Sequence, residues 1–216
     1  MARPSISPEE RQLRTTQLLD AAVALLLENP DRIPSVAEVA ARAGIAKGAV
    51  YLYFRRKEDL LLAAHERHIA MFFDALVEYA QADAPVTFAG VFELATLHLI
   101  QPQVVLPLAA LIGGVLHKKA HPEAVDAFEQ RLAERLRLAG SLLYRHFPLP
   151  DELSGVRLLM RSFALILGLW QLIGREKPMC GSPEISAMLL PDYPSELHAA
   201  LYALWQGAYD KDDNHA

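Results

Sequence analysis

The stretch that decides the fold is Ser35–Leu60, which reads SVAEVAARAGIAKGAVYLYFRRKEDL. It opens with a capping box, because Ser35 stands three residues before Glu38 at the start of a helical pattern. The short helix that follows ends at Gly44, since glycine readily takes the left-handed conformation that closes a helix. A second short helical segment, residues 47–54, begins almost at once. Two short helices joined by a tight glycine-containing turn form a helix-turn-helix.

Helical periodicity dominates the rest of the chain. A first helix is predicted from Ser7, an N-cap followed by Pro8, to Asn29, and a fourth from Lys57 to Tyr79. Beyond these, prolines punctuate further predicted helices at 86–100, 103–117, 122–146, 151–174 and 194–208. Residues 175–191 read as a loop with one helical turn at 184–189. Because no convincing strand run appears, the sequence predicts an all-α fold of about nine helices.

The second helix of the motif has the composition that DNA reading requires. In a helix-turn-helix, the first helix braces across the DNA backbone while the second places its N-terminal residues at base edges in the major groove. Residues 47–49 (Lys-Gly-Ala) supply a cation and little bulk, so the backbone can come close. Tyr51 and Tyr53 carry hydroxyls that can donate to phosphate oxygens. Lys57, with the first amides of its helix, can hold one phosphate. The alternative is that the tyrosines are half-buried aromatics with no DNA role.

The charge of the chain is unevenly distributed. The 216 residues carry a net charge of −5. Residues 1–57 hold nine Lys/Arg against six Asp/Glu, whereas residues 58–216 hold twelve against twenty. Because phosphate attraction requires only a local basic face, the acidic total does not exclude a nucleic-acid partner. Residues 55–57 (Arg-Arg-Lys) form the densest basic cluster, and the alternative for this cluster is a solvated loop.

These motifs resemble the signature of the TetR family of bacterial repressors, and the resemblance covers about residues 10–65. It implies a three-helix helix-turn-helix domain over residues 1–56 and a helical-bundle domain for ligand binding and dimerisation over residues 57–216. It also implies double-stranded operator DNA, read in the major groove, as the partner. The residues implied to contact DNA are Ser35, Lys47, Gly48, Ala49, Tyr51, Leu52, Tyr53 and Lys57.

Two other residues of the motif are implied to be core, and three positions weaken direct base readout. Val50 and Phe54 should hold the second helix against the rest of the domain. Ala46 replaces the usual Ser or Thr cap, which weakens that cap by about 1 kcal/mol. Ala37 stands where some members carry a base-reading arginine, and Leu52 offers only apolar contact. DNA shape is therefore expected to carry part of the specificity.

Two helices near the C-terminus are predicted to form a homodimer seam. The 151–174 segment is apolar on almost every face, and a helix of that kind is buried on all sides. The last helix carries an apolar stripe, and the family builds a four-helix dimer interface from its last two long helices. The alternative is that both belong to one monomeric core. The predicted interface residues are Ala164, Leu167, Gly168, Leu197, Leu201, Leu204 and Trp205.

An apolar pocket between helices is predicted to bind a small, largely apolar or aromatic effector that releases the protein from DNA. Each wall candidate has plain core packing as its alternative. Arg161 is a charge in an apolar helix, which is costly to bury unless paired. It is expected to hold an anionic ligand or to pair with Glu93. The candidate pocket residues are Phe92, His98, Leu106, Leu111, Tyr144, Met160, Arg161, Phe163 and Trp170.

Other functions find less support in the sequence. It contains no phosphate loop, Gly-x-Ser-x-Gly elbow, His-Glu-x-x-His or dinucleotide fingerprint, so no enzyme and no cofactor are predicted. The histidine pairs 65/68 and 117/121 lack the further ligands of a zinc site, so no metal is predicted. Prolines break the most membrane-like stretch, 96–116, so a cytoplasmic protein is expected. The alternative function is a non-catalytic helical adaptor that has lost DNA binding.

Overall fold

A computed structural model describes residues 7–29, 32–112, 116–174, 182–189 and 191–209. Within these ranges the regular elements are all helical and no strand occurs. The predicted all-α fold is confirmed. The elements are α1 (Pro8–Glu28), α2 (Val36–Arg42), α3 (Lys47–Val50), α4 (Lys57–Gln81), α5 (Phe88–Ala95), α6 (Val105–Leu111), α7 (His117–Lys119), α8 (Pro122–His146), α9 (Glu152–Leu169), α10 (Pro183–Leu189) and α11 (Tyr193–Tyr209).

Local capping chemistry sets several helix starts. The Ser7 hydroxyl accepts the Glu10 amide at 3.1 Å, which confirms Ser7 as the N-cap of α1. The Thr87 hydroxyl accepts the Gly90 amide at 3.1 Å before α5. The Asp151 carboxylate accepts the Ser154 amide at 2.6 Å before α9. Each of these side chains satisfies an amide that the helix itself leaves without a partner.

Helix boundaries differ from the sequence prediction in two of the described segments. In the segment predicted as one helix over 103–117, α6 covers Val105–Leu111 and α7 covers His117–Lys119, and residues 113–115 lie outside the described part of the chain. The C-terminal loop contains α10, a helix of seven residues that is longer than the single turn expected there. Two helices also end in π-helical turns, α5 over Thr96–Ile100 and α9 over Trp170–Gly174. Such turns are rare and frequently occur at functional sites.

The chain packs as two compact units. The first comprises residues 1–69 and 102–131, and the second residues 70–101 and 132–216. Each has its own apolar core of side chains almost fully removed from water. Core residues of the first unit include Leu18, Val50, Leu61, Leu106 and Leu108, and those of the second include Leu76, Leu143, Leu158, Ile166 and Leu197.

Within the second unit, α8 and α9 meet at two buried glycines. A Cβ atom built on Gly155 would lie 2.2 Å from the Gly140 carbonyl oxygen, a distance that real Cβ atoms do not reach. A Cβ atom on Gly140 would lie 2.7 Å from the backbone nitrogen of Val156. The two helix backbones are therefore in direct contact at this crossing, and only glycine allows it.

The helix α9 is less enclosed than its sequence predicts. With its π-helical turn it spans Glu152–Gly174, which by length and composition is apolar enough to cross a membrane. The core helices of soluble proteins also meet this criterion of length and composition. The segments Phe88–Ile100 and Val105–Leu111 meet it when they are counted as one helix with a break. Only 22% of the most apolar window of Glu152–Gly174 is buried within one chain, and Leu153, Met160 and Leu172 are exposed.

Candidate DNA-binding site

The helix α2 begins with the predicted capping box. The Ser35 hydroxyl accepts the Glu38 amide at 3.3 Å, and the Glu38 carboxylate accepts the Ser35 amide at 2.9 Å. The guanidinium of Arg32 pairs with the same carboxylate. Hydrogen bonds from Arg32 and Ser35 lower the pKa of Glu38 to about 2, so the carboxylate stays ionised and the cap stays closed at any neutral pH.

The turn after α2 is a Schellman motif, as the glycine at position 44 predicts. Gly44 has a φ of 67° and donates to the Ala41 carbonyl at 3.2 Å. The Ile45 amide donates to the Ala40 carbonyl at 3.0 Å. These two bonds satisfy carbonyls that the end of α2 would otherwise leave open. The turn therefore fixes the direction in which the chain enters α3.

The helix α3 is shorter than the predicted segment 47–54, because regular α-helix ends at Val50. Ala46 supplies no side-chain cap, and one turn gains too few hydrogen bonds to propagate. The chain continues as tighter turns, with the Leu52 amide donating to Ala49 at 3.1 Å and the Tyr53 amide to Val50 at 3.0 Å. Val50, 2% exposed, anchors this reading segment (residues 47–54) in the core, as predicted.

The reading segment lies at the surface of its unit. Lys47, Gly48, Tyr51 and Leu52 are exposed at helical spacing, with Tyr51 at 50% and Leu52 at 56%. Ala49, Tyr53, Phe54 and Lys57 are half-buried, and Ser35 is exposed at the start of α2. Four of the residues predicted to contact DNA, namely Lys47, Gly48, Tyr51 and Leu52, thus form one exposed face. Their contact with DNA itself stays a prediction.

The basic cluster 55–57 is tied to the turn between α7 and α8 within the same unit. Arg55 reaches the His121 imidazole at 2.9 Å and Glu123 at 3.2 Å, and Arg56 donates to the Lys119 carbonyl at 2.8 Å. Asp59, 7% exposed, accepts the Arg56 amide at 3.0 Å and the His121 amide at 2.7 Å. The alternative of a solvated loop therefore agrees with the exposure of Arg55 and Arg56 but not with their contacts to residues 119–123.

Sequence reasoning missed Arg11. This residue lies in the exposed first turns of α1, yet its guanidinium donates to the Leu52 carbonyl at 3.2 Å and lies 5.5 Å from the centre of the Tyr53 ring. The partners are 41 residues apart in the chain. No local pattern links them, so only the folded chain reveals this contact.

Replacing Gly48 with alanine separates packing from DNA contact. A Cβ atom at this position would meet nothing within 4 Å, so the free protein should keep its fold and gain up to about 1 kcal/mol of helix propensity. Affinity for operator DNA should fall about tenfold, because the added methyl holds the backbone away from the groove. Melting temperature and fluorescence anisotropy with labelled DNA measure the two effects. Gly207→Ala, also free of neighbours within 4 Å, is the control and should leave affinity unchanged.

The predicted pocket residues are divided between the two units. Leu106 and Leu111 belong to the first unit, and the other seven belong to the second. Leu106 is core at 2% exposure. Phe92 packs edge-on against His198 at 4.9 Å between centroids, whereas Tyr144 and Met160 are exposed at 40% and 57%. His98 and Trp170 each lie in a π-helical turn, and Phe163 is half-buried in α9.

Arg161 is not the buried charge that the apolar helix suggested. Its side chain is exposed, and no ion pair joins it to Glu93, which is exposed as well. It lines a shallow hollow of about 150 Å³ with Pro150, Ser154, Arg157, Leu158 and Ala208. Because water already solvates the guanidinium, it needs no buried partner.

The predicted dimer residues divide into two sets. Leu197, Leu201 and Trp205 are 1%, 3% and 2% exposed within one chain, so they cannot offer surface to a partner and their assignment to the interface is wrong. They pack α11 on α9, and the Trp205 indole donates to the Ser162 hydroxyl at 3.0 Å. The residues left accessible are Ala164, Leu167, Gly168 and Leu204.

The histidine pairs of the sequence do not assemble a metal centre. In the described part of the chain, no three His, Cys, Asp or Glu side chains converge as ligands would. His65 is instead a core residue of the first unit, 4% exposed, with its ring tilted against Phe128 at 6.3 Å. Burial and, to a smaller extent, the neighbouring His68 lower the pKa of His65 to about 4.

Comparison with known proteins agrees with this geometry along nearly the whole chain. Residues 18–64 match the profile of bacterial regulatory proteins of the tetR family, and residues 66–211 match the profile called Tetracyclin repressor-like, C-terminal domain. A capped brace helix, a Schellman turn and an exposed reading segment together define a helix-turn-helix DNA-binding protein. The chain belongs to the TetR family. It is a DNA-binding transcriptional repressor.

Individual relatives resemble the chain to different extents. It is 33% identical to the Fatty acid metabolism regulator protein of Bacillus subtilis over 70 residues, which is 32% of this chain but only 36% of that relative's length. It is 25% identical to the HTH-type transcriptional regulator TtgR of Pseudomonas putida over 82% of this chain and 89% of that protein. A TetR-family crystal structure from Mesorhizobium loti shares the fold, with a TM-score of 0.59, 18% identity, and coverage of 91% and 95%.

Proposed function

We propose that this repressor reads its operator in the major groove through Lys47, Gly48, Ala49, Tyr51, Leu52 and Tyr53. Ser35 and Lys57 would contact the flanking phosphates. The observation that carries the proposal is the exposed face of the reading segment, whose backbone is held from behind by the buried Val50. We place the functional boundary between the DNA-binding and effector-binding parts at residues 56/57. We also expect the protein to act in the cytoplasm.

The direct test is a double variant, Lys47→Ala with Tyr51→Phe. Both side chains are exposed, so stability should change by no more than about 0.5 kcal/mol. Operator affinity should fall at least about tenfold, because one phosphate cation and one hydroxyl donor are lost. Because the proposed dimer places one Lys47 on each half-site, the slope of log K against log salt should also fall by about 2. Fluorescence anisotropy with DNA from upstream of the protein's own gene measures both.

A matched control has the same chemistry in the second unit. Arg137 is exposed, and Tyr202 is 50% exposed, as Tyr51 is. The Arg137→Ala, Tyr202→Phe variant should bind DNA like the unmodified protein. If the unmodified protein binds no such fragment in a salt-sensitive way, the proposal fails. That result would favour the alternative function, a helical adaptor that has lost DNA binding.

We further propose a homodimer that contacts its copy through the accessible face of α9 at Ala164, Leu167 and Gly168, with Leu204 of α11. TetR-family regulators bind operator DNA, dimerise and bind small-molecule effectors. A Cβ atom on Gly168 would meet nothing within 4 Å in one chain, so the surface there is open to close approach. Two chains per operator with half-sites one helical turn apart, roughly 34–36 Å, are expected. Binding stoichiometry in the anisotropy titration reports this directly.

The effector we propose is a small, largely apolar or aromatic molecule held by the second unit. The support is the pair of π-helical turns at 96–100 and 170–174, which carry His98 and Trp170, together with the half-buried Phe92 and Phe163. Binding would change the separation or orientation of the two reading segments in the dimer and so weaken operator binding. A thermal-shift screen of apolar and aromatic compounds, followed by release of labelled operator, tests this.

A further inference from the structure

We infer that Arg11 is a positioning residue for operator recognition: it holds the C-terminal end of the reading segment in the conformation that DNA requires. The inference rests on the proposed DNA-binding function. It adds to the recognition site a residue that acts without contacting a base or a phosphate. It starts from a weakness of α3, which has four residues and no side-chain cap at its start. So short a helix is not stable by itself and depends on tertiary contacts.

Two contacts support the reading segment, one at its middle and one towards its C-terminal end. Val50 is buried and fixes the middle of the segment. At its C-terminal end the Arg11 guanidinium donates to the Leu52 carbonyl at 3.2 Å. A cation at this position also interacts favourably with the negative end of a helix. The bond thus adds an anchor at the C-terminal end of a segment in which Val50 alone is fully buried.

The same guanidinium orients Tyr53. Its central carbon lies 5.5 Å from the centre of the tyrosine ring, within the range of a cation–π contact. Arginine can make both interactions together because its guanidinium is planar and carries several donors, whereas a lysine ammonium cannot reproduce that geometry. Arg11 therefore links the backbone of Leu52 to the ring of Tyr53.

The position of Arg11 is itself well defined. The Ser7 cap closes the first turn of α1, and the Arg11 amide donates to the Ser7 carbonyl at 2.9 Å. Residues 7–13 are all exposed, and the buried face of α1 begins only at Leu18. These first turns thus bury no apolar side chain, and the contact with the end of the reading segment gives them a role.

The test compares Arg11→Lys, Arg11→Gln and a control, Arg14→Gln, which removes the same charge three residues along α1. Arg14 is hydrogen-bonded to Gln17 on its own helix. The probes are the operator that the unmodified protein selects from random-sequence DNA and an unrelated duplex of equal length. Affinity is measured across salt concentrations, and hydrogen exchange of residues 47–56 is followed without DNA.

Arg11→Lys and Arg11→Gln should each lose about five- to tenfold in operator affinity. Affinity for the unrelated duplex should stay within about twofold for Arg11→Lys, with the salt slope unchanged, because its charge remains. Exchange of residues 47–56 should be faster in both variants than in Arg14→Gln, because the segment has lost its second anchor.

Two results would overturn the inference. In one, Arg11→Lys keeps full operator affinity while Arg11→Gln loses about 1.8 from the salt slope, or about 0.9 for each chain of the dimer, which is the signature of a phosphate contact. In the other, exchange of residues 47–56 is the same in all variants. If the unmodified protein selects no DNA at all, the DNA-binding function itself fails, which is a separate outcome that also removes this inference.

Discussion

Replacing Gly155 with alanine should destabilise the protein by about 3 kcal/mol. The new Cβ atom would lie 2.2 Å from the Gly140 carbonyl oxygen and 2.9 Å from the Gly140 Cα. Both neighbours are backbone atoms of α8, so no side chain can rotate away and the two helices must move apart. Chemical denaturation at fixed protein concentration measures the loss.

The control for this substitution is Gly207→Ala. Position 207 is also helical and exposed, but a Cβ atom there would meet nothing within 4 Å. It should be neutral or stabilising by up to about 1 kcal/mol, because alanine is the better helix former. Equal stability of the two variants would show that α8 and α9 can separate without cost.

Acidification should destabilise the protein through His65. The pKa of His65 is about 4 in the folded chain, because burial disfavours the imidazolium, against about 6.5 when unfolded. Between these values the unfolded chain binds the extra proton, so stability is complete above pH 6.5 and declines as the pH falls towards 4. The loss should reach about 3 kcal/mol. Urea denaturation at a series of pH values measures it.

The variant His65→Leu should remove most of that decline. The imidazole Nδ1 has no hydrogen-bond partner, so the apolar replacement leaves no polar atom stranded. His117 contacts the same Phe128 ring at 6.2 Å but is exposed, so His117→Gln should keep the full pH dependence. His68 on α4 is the other histidine whose pKa burial lowers, and a decline that persists in His65→Leu would be assigned to His68 instead.

Features encoded by neighbouring residues could be predicted from the sequence. The caps at Ser7 and Ser35 and the glycine turn at 44 each depend on residues within a few positions, and the structure confirms all three. The end of α3 at Val50 was not predicted, because a helical pattern does not reveal that a segment is too short to sustain regular hydrogen bonds.

Features that depend on distant packing could not be predicted. Composition made Arg161 look buried, although it lies on the exposed side of α9. The apolar stripe of α11 was predicted to form a dimer interface. Trp205 in this stripe instead packs inside the chain, where its indole donates to the Ser162 hydroxyl. Nothing in the sequence brings Arg11 to Leu52 or Gly140 to Gly155, since both contacts arise only when separate helices cross.

The single turn of α3 also bears on how such a repressor changes its target. Lys47, Gly48, Tyr51 and Leu52 are exposed, and Val50 is the buried residue of this segment. Substitutions at the four outward positions should therefore be nearly neutral for folding. Under the proposed function, new operators can then be acquired by mutation without a compensating change in the interior, and a library randomised at these four codons should yield mostly folded members.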